Sequence, residues 1–127
     1  MSSKSLYDQM AAILDEVQFV ADAAKEKSTK KAATETRKIL KATSPKRYRG
    51  KYASGWATKN LSEGQVTTFV VYNKKVPGFT HLLENGHVIR NKKGKFGRAP
   101  AHKHIEPAAD QGGDIMIDTA MKELNKL

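Results

Sequence analysis

The sequence predicts an α+β protein: an N-terminal helix or helices, a small antiparallel sheet of about four strands, and a C-terminal helix packed on the sheet. Apolar residues recur at spacings of three and four near both ends of the 127-residue chain, which is the helical period. Between them, β-branched and aromatic residues alternate with turn residues, which is typical of hairpins. A chain of this length is expected to form a single domain over 1–127.

The first segment carries one apolar stripe of an amphipathic helix. We expect a helix over about 5–27 and a second helix, or a continuation of the first, over about 31–42. Ser44–Pro45 ends it, because the residue before a proline avoids the helical conformation. The stripe consists of Leu6, Met10, Ile13, Leu14, Val17, Val20 and Ala24.

The middle of the chain predicts two hairpins. Strands are expected over 52–60 and 65–73, joined by the turn LSEG at 61–64. Tyr52 and Trp56 have the same parity, so on a strand they would share the face that packs on the helices. A second, irregular hairpin is expected over 88–98, before Pro100 interrupts it.

Two further helices are predicted from glycine and proline positions. The segment 79–85 suits a short helix, with Gly86 as its left-handed cap. The last helix is expected over about 114–125. Pro107 could occupy the first position of a helix, but the QGG sequence at 111–113 argues against so early a start.

The net charge of +10 is concentrated in two segments. Residues 25–51 sum to +9 and residues 90–104 to +6, whereas the segments 1–24 and 105–127 sum to −3 each. Such a field favours an anionic partner, whether nucleic acid, an acidic protein face or a phosphate-rich surface, although solubility alone would also explain it. The expected interface or anion-contact residues are Lys46, Arg47, Arg49, Lys51, Arg90, Lys92, Lys93, Lys95 and Arg98.

Several function classes lack their sequence signatures. The chain has no cysteine, which excludes disulfides and thiolate chemistry and agrees with synthesis in a cytoplasm. Its N-terminus lacks the apolar core of a signal peptide, and no run approaches the ~18 apolar residues of a membrane span. We find no nucleophile elbow and no phosphate-binding loop. We therefore expect neither an enzyme nor a bound cofactor.

Four histidines and a glutamate form the one arrangement that could hold a metal. His81, Glu84 and His87 are spaced by three, and His102 and His104 alternate on an extended segment. The spacing matches no zinc signature, and Gly86 should end the helix before His87. A metal-dependent nuclease or hydrolase is therefore a weaker hypothesis than the two functions considered below, and we expect no metal site.

The order of the motifs resembles that of a known family. SPKRYRGKYASGW (44–56) is followed by VVYN (70–73), THLLENGH (80–87), a basic turn and PAHKHIEPA (100–108). This order resembles the gene-product-ten-like family of long-tailed phages and prophages, described as tail-component, tail-completion or head–tail joining proteins. The resemblance covers the whole chain and is sharpest over 44–109.

The resemblance implies a non-enzymatic role in virion assembly at the head–tail junction or tail. The implied partners are head-completion or connector proteins, tail-tube or tail-terminator proteins and further copies in a ring, with non-specific contact to passing DNA and no membrane. The alternative is a small basic nucleic-acid-binding protein. In the family interpretation the histidines belong to a structural motif, whose members are Tyr52, Trp56, His81, Glu84, Gly86, His87, Pro100, His104 and Pro107.

Overall fold

The computed structural model describes residues 5–46, 49–91 and 94–127 and confirms the α+β class. The strands pair as two separate two-stranded antiparallel sheets, β1–β2 and β3–β4, rather than as one sheet of about four strands. The elements are α1 (Leu6–Thr43), α2 (Lys51–Ser54), β1 (Trp56–Asn60), β2 (Phe69–Asn73), a 3₁₀ turn (Pro77–Phe79), α3 (Thr80–Asn85), β3 (His87–Asn91), β4 (Gly94–Ala99) and α4 (Ile105–Leu124).

Helix α1 is one continuous helix of 38 residues, which resolves the choice between two helices and a continuation. Ser5 caps its start, because the Ser5 hydroxyl oxygen accepts a hydrogen bond of 3.1 Å from the Asp8 N–H. The Lys- and Ala-rich segment in its middle has strong helix propensity and continues the helix. The helix ends as predicted, with Ser44 extended at ψ 147° before Pro45.

The first hairpin is confirmed, but both of its strands are shorter than predicted. Arg49 and Gly50 have positive φ angles of 58° and 81°, and this left-handed turn starts the short helix α2 where a strand was expected. Tyr52 is therefore helical, and its predicted strand face is wrong. The hairpin tip also lies two residues later than predicted, since Glu63 and Val66 pair across Gly64, which has φ +54°.

The second half of the chain contains the predicted short helix and irregular hairpin. Gly86 follows α3 with φ +74° and ψ 171°. The φ angle is positive as expected, but the extended ψ is not that of a left-handed cap, so the chain passes directly into β3. The irregularity of the hairpin is a register shift between Val88 and Arg90. Strand β4 ends before Pro100, as predicted.

Helix α4 begins nine residues earlier than predicted and packs mainly along α1 rather than on a sheet. The two helices are antiparallel: Lys27 of α1 forms an ion pair of 2.6 Å with Glu123, near the end of α4. Gly112 lies in the middle of this contact, where a Cβ atom would collide with the Thr36 hydroxyl oxygen of α1. Of the two glycines that argued against a helix, Gly112 thus permits the close packing on α1, whereas Gly113 has open space at its Cβ position.

The hydrophobic core lies where the end of α1, α2, β1, α3 and the start of α4 meet. Its buried members are Leu40, Tyr52, Trp56, Leu83 and Ala108. The first turns of α4 reach this core, and Ala109 and Met116 of α4 line a cleft together with Phe69 and Val71 of β2. In the described part of the chain, no helix combines the length and apolar character needed to cross a membrane.

Candidate functional site

The largest fully buried side chains among the described residues are a hydrogen-bonded tyrosine and histidine. Tyr52 on α2 is 0 % exposed and His104, just before α4, is 2 % exposed. The Tyr52 hydroxyl lies 2.6 Å from His104 Nε2. His104 Nδ1 lies 2.6 Å from the His102 carbonyl oxygen and 3.1 Å from a Glu84 carboxylate oxygen. A proton on Nδ1 is placed to hydrogen-bond to these two oxygens, and the Tyr52 hydroxyl is the hydrogen-bond partner of Nε2.

Glu84 is the N-terminal cap of α4, although it lies on α3. Its Oε1 accepts hydrogen bonds from the backbone N–H groups of His104 at 2.8 Å and Ile105 at 2.9 Å, and its Oε2 accepts one from Glu106 at 3.1 Å. Burial raises the pKa of Glu84, but these three donors and the nearby His104 ring outweigh burial and hold it below the usual range. The carboxylate therefore stays ionised and fixes the first turn of α4.

Two further hydrogen bonds connect this pair to α1 and to the first hairpin. Trp56 Nε1 donates to the Ser44 hydroxyl at 2.8 Å, and Asn73 Nδ2 donates to the Tyr52 carbonyl at 2.7 Å. Asn73 Oδ1 also accepts from the Val76 N–H at 2.9 Å. We call Ser44, Tyr52, Trp56, Asn73, Glu84 and His104 the core network.

The core network is built for structure rather than for reaction. Burial raises the pKa of the Tyr52 hydroxyl; a hydrogen bond from Thr80 opposes this and the Glu84 charge adds to it, so the phenol remains protonated. The Trp56 ring packs edge-on to Tyr52, with centroids 5.6 Å apart. Each polar group of the network has a partner inside the fold, and burial keeps Tyr52 and His104 from solvent.

The predicted structural motif is partly assembled in one place. Tyr52, Trp56, Glu84 and His104 meet in the core network, and Pro107 lies in the first turn of α4. His81 is exposed and lies outside the network, whereas the His87 Nδ1 atom is buried without a hydrogen bond among the described residues. No group of three or more His, Asp or Glu side chains in the described ranges is arranged to hold a metal ion.

Sequence reasoning missed the two small polar members of the network, Ser44 and Asn73. Local signals identify Ser44 only as a helix-stop residue and Asn73 only as the end of a strand. Asn73 follows the apolar segment FVVY and Ser44 precedes a proline, and many surface positions share either pattern. The capping role of Glu84 was also missed, because it depends on a contact 20 residues away in sequence.

Four of the predicted contact residues have side chains that the structure describes, and all four lie on the surface. Lys46, Arg49, Lys51 and Arg98 are all exposed. Arg90 and Lys95 are backbone partners across β3 and β4, whereas Arg47, Lys92 and Lys93 lie outside the described residues.

The fold brings the two basic segments together. Lys46, from the first, and Lys103, from the second, line one open cleft of about 610 Å³. Asn85 binds both Arg98 and Lys103. The Arg98 guanidinium donates to the Asn85 backbone carbonyl at 3.3 Å, and the Lys103 ammonium donates to the Asn85 side-chain oxygen at 3.2 Å. Residues of both basic segments thus lie close together near the end of α3. We call these residues, together with the exposed Arg49 and Lys51 of the first segment, the basic surface; its described members are Lys46, Arg49, Lys51, Arg98 and Lys103.

Comparison with known families gives one match, over residues 6–86, to the HK97 gp10-like model, described as "Bacteriophage HK97-gp10, putative tail-component". No curated protein and no solved structure matches the chain significantly. The matched residues run from the start of α1 to Gly86 and include five of the six members of the core network, all but His104. Since they make up more than half of the sequence, the chain belongs to the HK97 gp10-like family of bacteriophage tail components.

Proposed function

We propose that the protein is a structural virion-assembly protein of the phage head–tail junction, acting as a neck or tail-completion protein. Its membership in a phage tail-component family is the observation that carries this proposal. It acts by docking to protein neighbours: further copies in a ring, head-completion or connector proteins on one side, and tail-tube or tail-terminator proteins on the other.

The distribution of charge supports docking between unlike surfaces. The basic surface lies on one part of the molecule, whereas the exposed acids Asp110, Asp114 and Asp118 lie along α4. Contacts around a closed ring join two different faces of each copy, so a chain with one basic and one acidic face is suited to them.

A non-enzymatic role agrees with the chemistry of the core. The groups that could exchange protons, Glu84, His104 and Tyr52, are buried and bonded to one another or to the backbone. None of them is presented to a substrate at the surface. Their contribution is to fix the positions of α2, α3 and α4 beneath the basic surface.

Localisation on particles tests the proposal. A host carrying the gene is induced, released phage are purified, and an antibody to the protein is used for electron microscopy. We expect label at the junction between head and tail. Purified particles that contain neither label nor peptides of the protein would contradict the proposal, as would label confined to the distal tail tip.

A charge variant tests the role of the basic surface. Lys46→Gln, Arg49→Asn and Lys51→Gln together remove three charges, and asparagine suits the positive φ of Arg49. We expect unchanged folding but fewer infectious particles. The control replaces three exposed lysines elsewhere, Lys30, Lys31 and Lys59, by glutamine and should assemble normally. Equal losses in both variants would mean that overall charge matters and this surface does not.

The net charge of +10 favours one alternative, a small basic nucleic-acid-binding protein. Contacts from Lys46, Arg49 and Lys51 would be made to phosphates, so affinity would fall steeply with salt. Tight DNA binding at physiological salt, together with absence from particles, would favour this alternative. Weak binding that vanishes at moderate salt agrees with a junction protein past which DNA moves.

A further inference from the structure

The first part of α1 is a helix with an uncovered apolar stripe. We call residues 6–21 the arm. Residues 6–19 are all exposed except Ala11, which is half-buried, and the arm is about 24 Å long at 1.5 Å per residue. Helix α4 ends near Lys27, before it reaches the arm. Leu6, Ile13 and Leu14 are 72 %, 60 % and 65 % exposed, far more than apolar residues of a helical stripe normally are.

The stripe continues the face of α1 that is buried further along the helix. Ala24 and Ser28 are buried on the stretch where α4 ends. Ala24 lies seven residues after Val17 and fourteen after Met10. Ser28 lies seven residues after Ala21 and fourteen after Leu14. Residues seven apart lie on nearly the same side of a helix, so the stripe requires a covering helix where α4 stops.

The stripe itself is free of charge. The acids Asp8, Asp15 and Asp22 follow one another at intervals of seven, so they share one side of the helix. At about 100° per residue this side lies opposite Met10 and Val17, and Glu16 lies between the two sides. Phe19, 75 % exposed, lies on that opposite side as well. An apolar face with a charged back indicates a helical partner with an apolar face, rather than the basic surface of another molecule.

The arm is complementary to itself in the antiparallel direction. Its apolar positions are symmetric about the midpoint between residues 13 and 14, so a second arm running in reverse opposes apolar residues along the whole stripe. The opposed pairs are Leu6 with Ala21, Tyr7 with Val20, Met10 with Val17, and Ile13 with Leu14.

The position of α4 selects the antiparallel direction. In a parallel pair, the partner's α1 would continue past residue 21 into the space that α4 occupies. In an antiparallel pair, the partner's helix begins near residue 21 of the first copy and runs away from α4. The two bodies then lie at opposite ends of the paired arms, and neither α4 is displaced.

We propose that two copies of this chain associate through their arms as an antiparallel helix pair, with Ile13 and Leu14 next to the two-fold axis. In such an isologous contact each arm covers the apolar stripe of the other. The two stripes are covered along their whole length because the two arms are equally long. The inference concerns the protein free in solution and does not depend on the proposed function at the head–tail junction.

The oligomeric state of the full chain tests this pairing. Sedimentation equilibrium should give twice the mass of one chain for the wild type and the mass of a single chain for Ile13→Glu, which places a charge in the middle of the stripe. The control is Phe19→Glu, an equally drastic change on the opposite side, which should remain dimeric. Circular dichroism should show the same helix content in all three proteins.

Cysteine cross-linking tests the direction, since the chain has no cysteine of its own. In the antiparallel pair, Leu14→Cys lies next to its counterpart and should oxidise to a linked dimer. Leu6→Cys would lie about 22 Å from its counterpart, too far for a disulfide, whose Cα atoms are usually within about 7 Å. A monomeric wild type, a dimer that survives Ile13→Glu, or efficient linking through Leu6→Cys would each overturn the proposal.

Discussion

Removing the Glu84 carboxylate should uncouple α4 from the rest of the fold. The carboxylate accepts three backbone hydrogen bonds from the first residues of α4, at 2.8, 2.9 and 3.1 Å, and Glu84 is only 9 % exposed. In Glu84→Ala these N–H groups lose their partner. In Glu84→Gln one oxygen remains, so the two bonds to Oε1 can persist without the charge, whereas the bond from Glu106 is lost.

The size of each effect follows from these contacts. A hydrogen bond to a charged group contributes about 1.5–3 kcal/mol, and loss of a helix N-cap costs about 0.5–2 kcal/mol. Some of the freed N–H groups can bind water at the helix end, so the contributions do not simply add. We expect the free energy of unfolding to fall by about 3–4 kcal/mol in Glu84→Ala and by about 1–2 kcal/mol in Glu84→Gln.

Urea unfolding, followed by circular dichroism and by Trp56 fluorescence, measures the change. The control is Glu63→Gln, an exposed glutamate in the β1–β2 connection, which should stay within about 0.5 kcal/mol of the wild type. If Glu84→Ala were as stable as this control, the carboxylate would not hold α4 and the reasoning would be refuted.

The pH dependence of the free energy of unfolding is a second test of the hydrogen bonds that Glu84 accepts. The folded-state pKa of Glu84 is lowered, so its contribution is fully present above the pKa of the unfolded chain and is lost as the pH falls through the folded value. Below about pH 4.5 the wild type should therefore lose stability faster than Glu84→Gln. The difference between their free energies of unfolding should become smaller as the pH falls. A constant difference down to low pH would contradict this assignment.

Four further substitutions test three other contacts of the fold by the same unfolding measurement. Gly112→Ala should destabilise the protein by about 1–2 kcal/mol, because its Cβ atom meets Thr36 of α1. Its control, Gly113→Ala, has nothing near its Cβ atom and should stabilise the protein by about 0.5–1 kcal/mol. Equal effects of the two substitutions would contradict the close helix contact. Gly86→Ala should cost about 2–4 kcal/mol, since its φ is +74° and its Cβ would lie 2.7 Å from the Ala99 carbonyl oxygen; an unchanged midpoint would refute this. Tyr52→Phe should cost about 1–2 kcal/mol by leaving His104 Nε2 without its partner, and a neutral result would mean that the hydrogen bond contributes nothing net.

The elements predicted correctly are those whose signals are local. The stripe of α1, its end at Ser44–Pro45 and the short helix before Gly86 depend on periodicity and on backbone restrictions of proline and glycine. The fold class and the family resemblance followed from the order of such signals, and both are confirmed.

The wrong boundaries are those decided by contacts between distant residues. Helix α4 begins at Ile105 because Glu84 caps it, and it passes through Gly112 because α1 lies against it there. Helix propensity alone disfavours both choices. Tyr52 is an exception, because its error is local. The sequence predicts it correctly in the core but wrongly on a strand, since the left-handed turn at Arg49 and Gly50 places it on a helix.

Helix α1 also has a consequence for how the chain folds during synthesis. Its partner α4 is made after the other elements that the structure describes, and the ion pair between them joins residues 96 positions apart. Until the ribosome has released that segment, the face of α1 that α4 covers has no intramolecular partner. Closing so long a loop is slow compared with forming the hairpins, so the nascent chain exposes a helical apolar surface in the meantime. Chaperone dependence during translation should therefore be greatest for variants that weaken the α1–α4 contact.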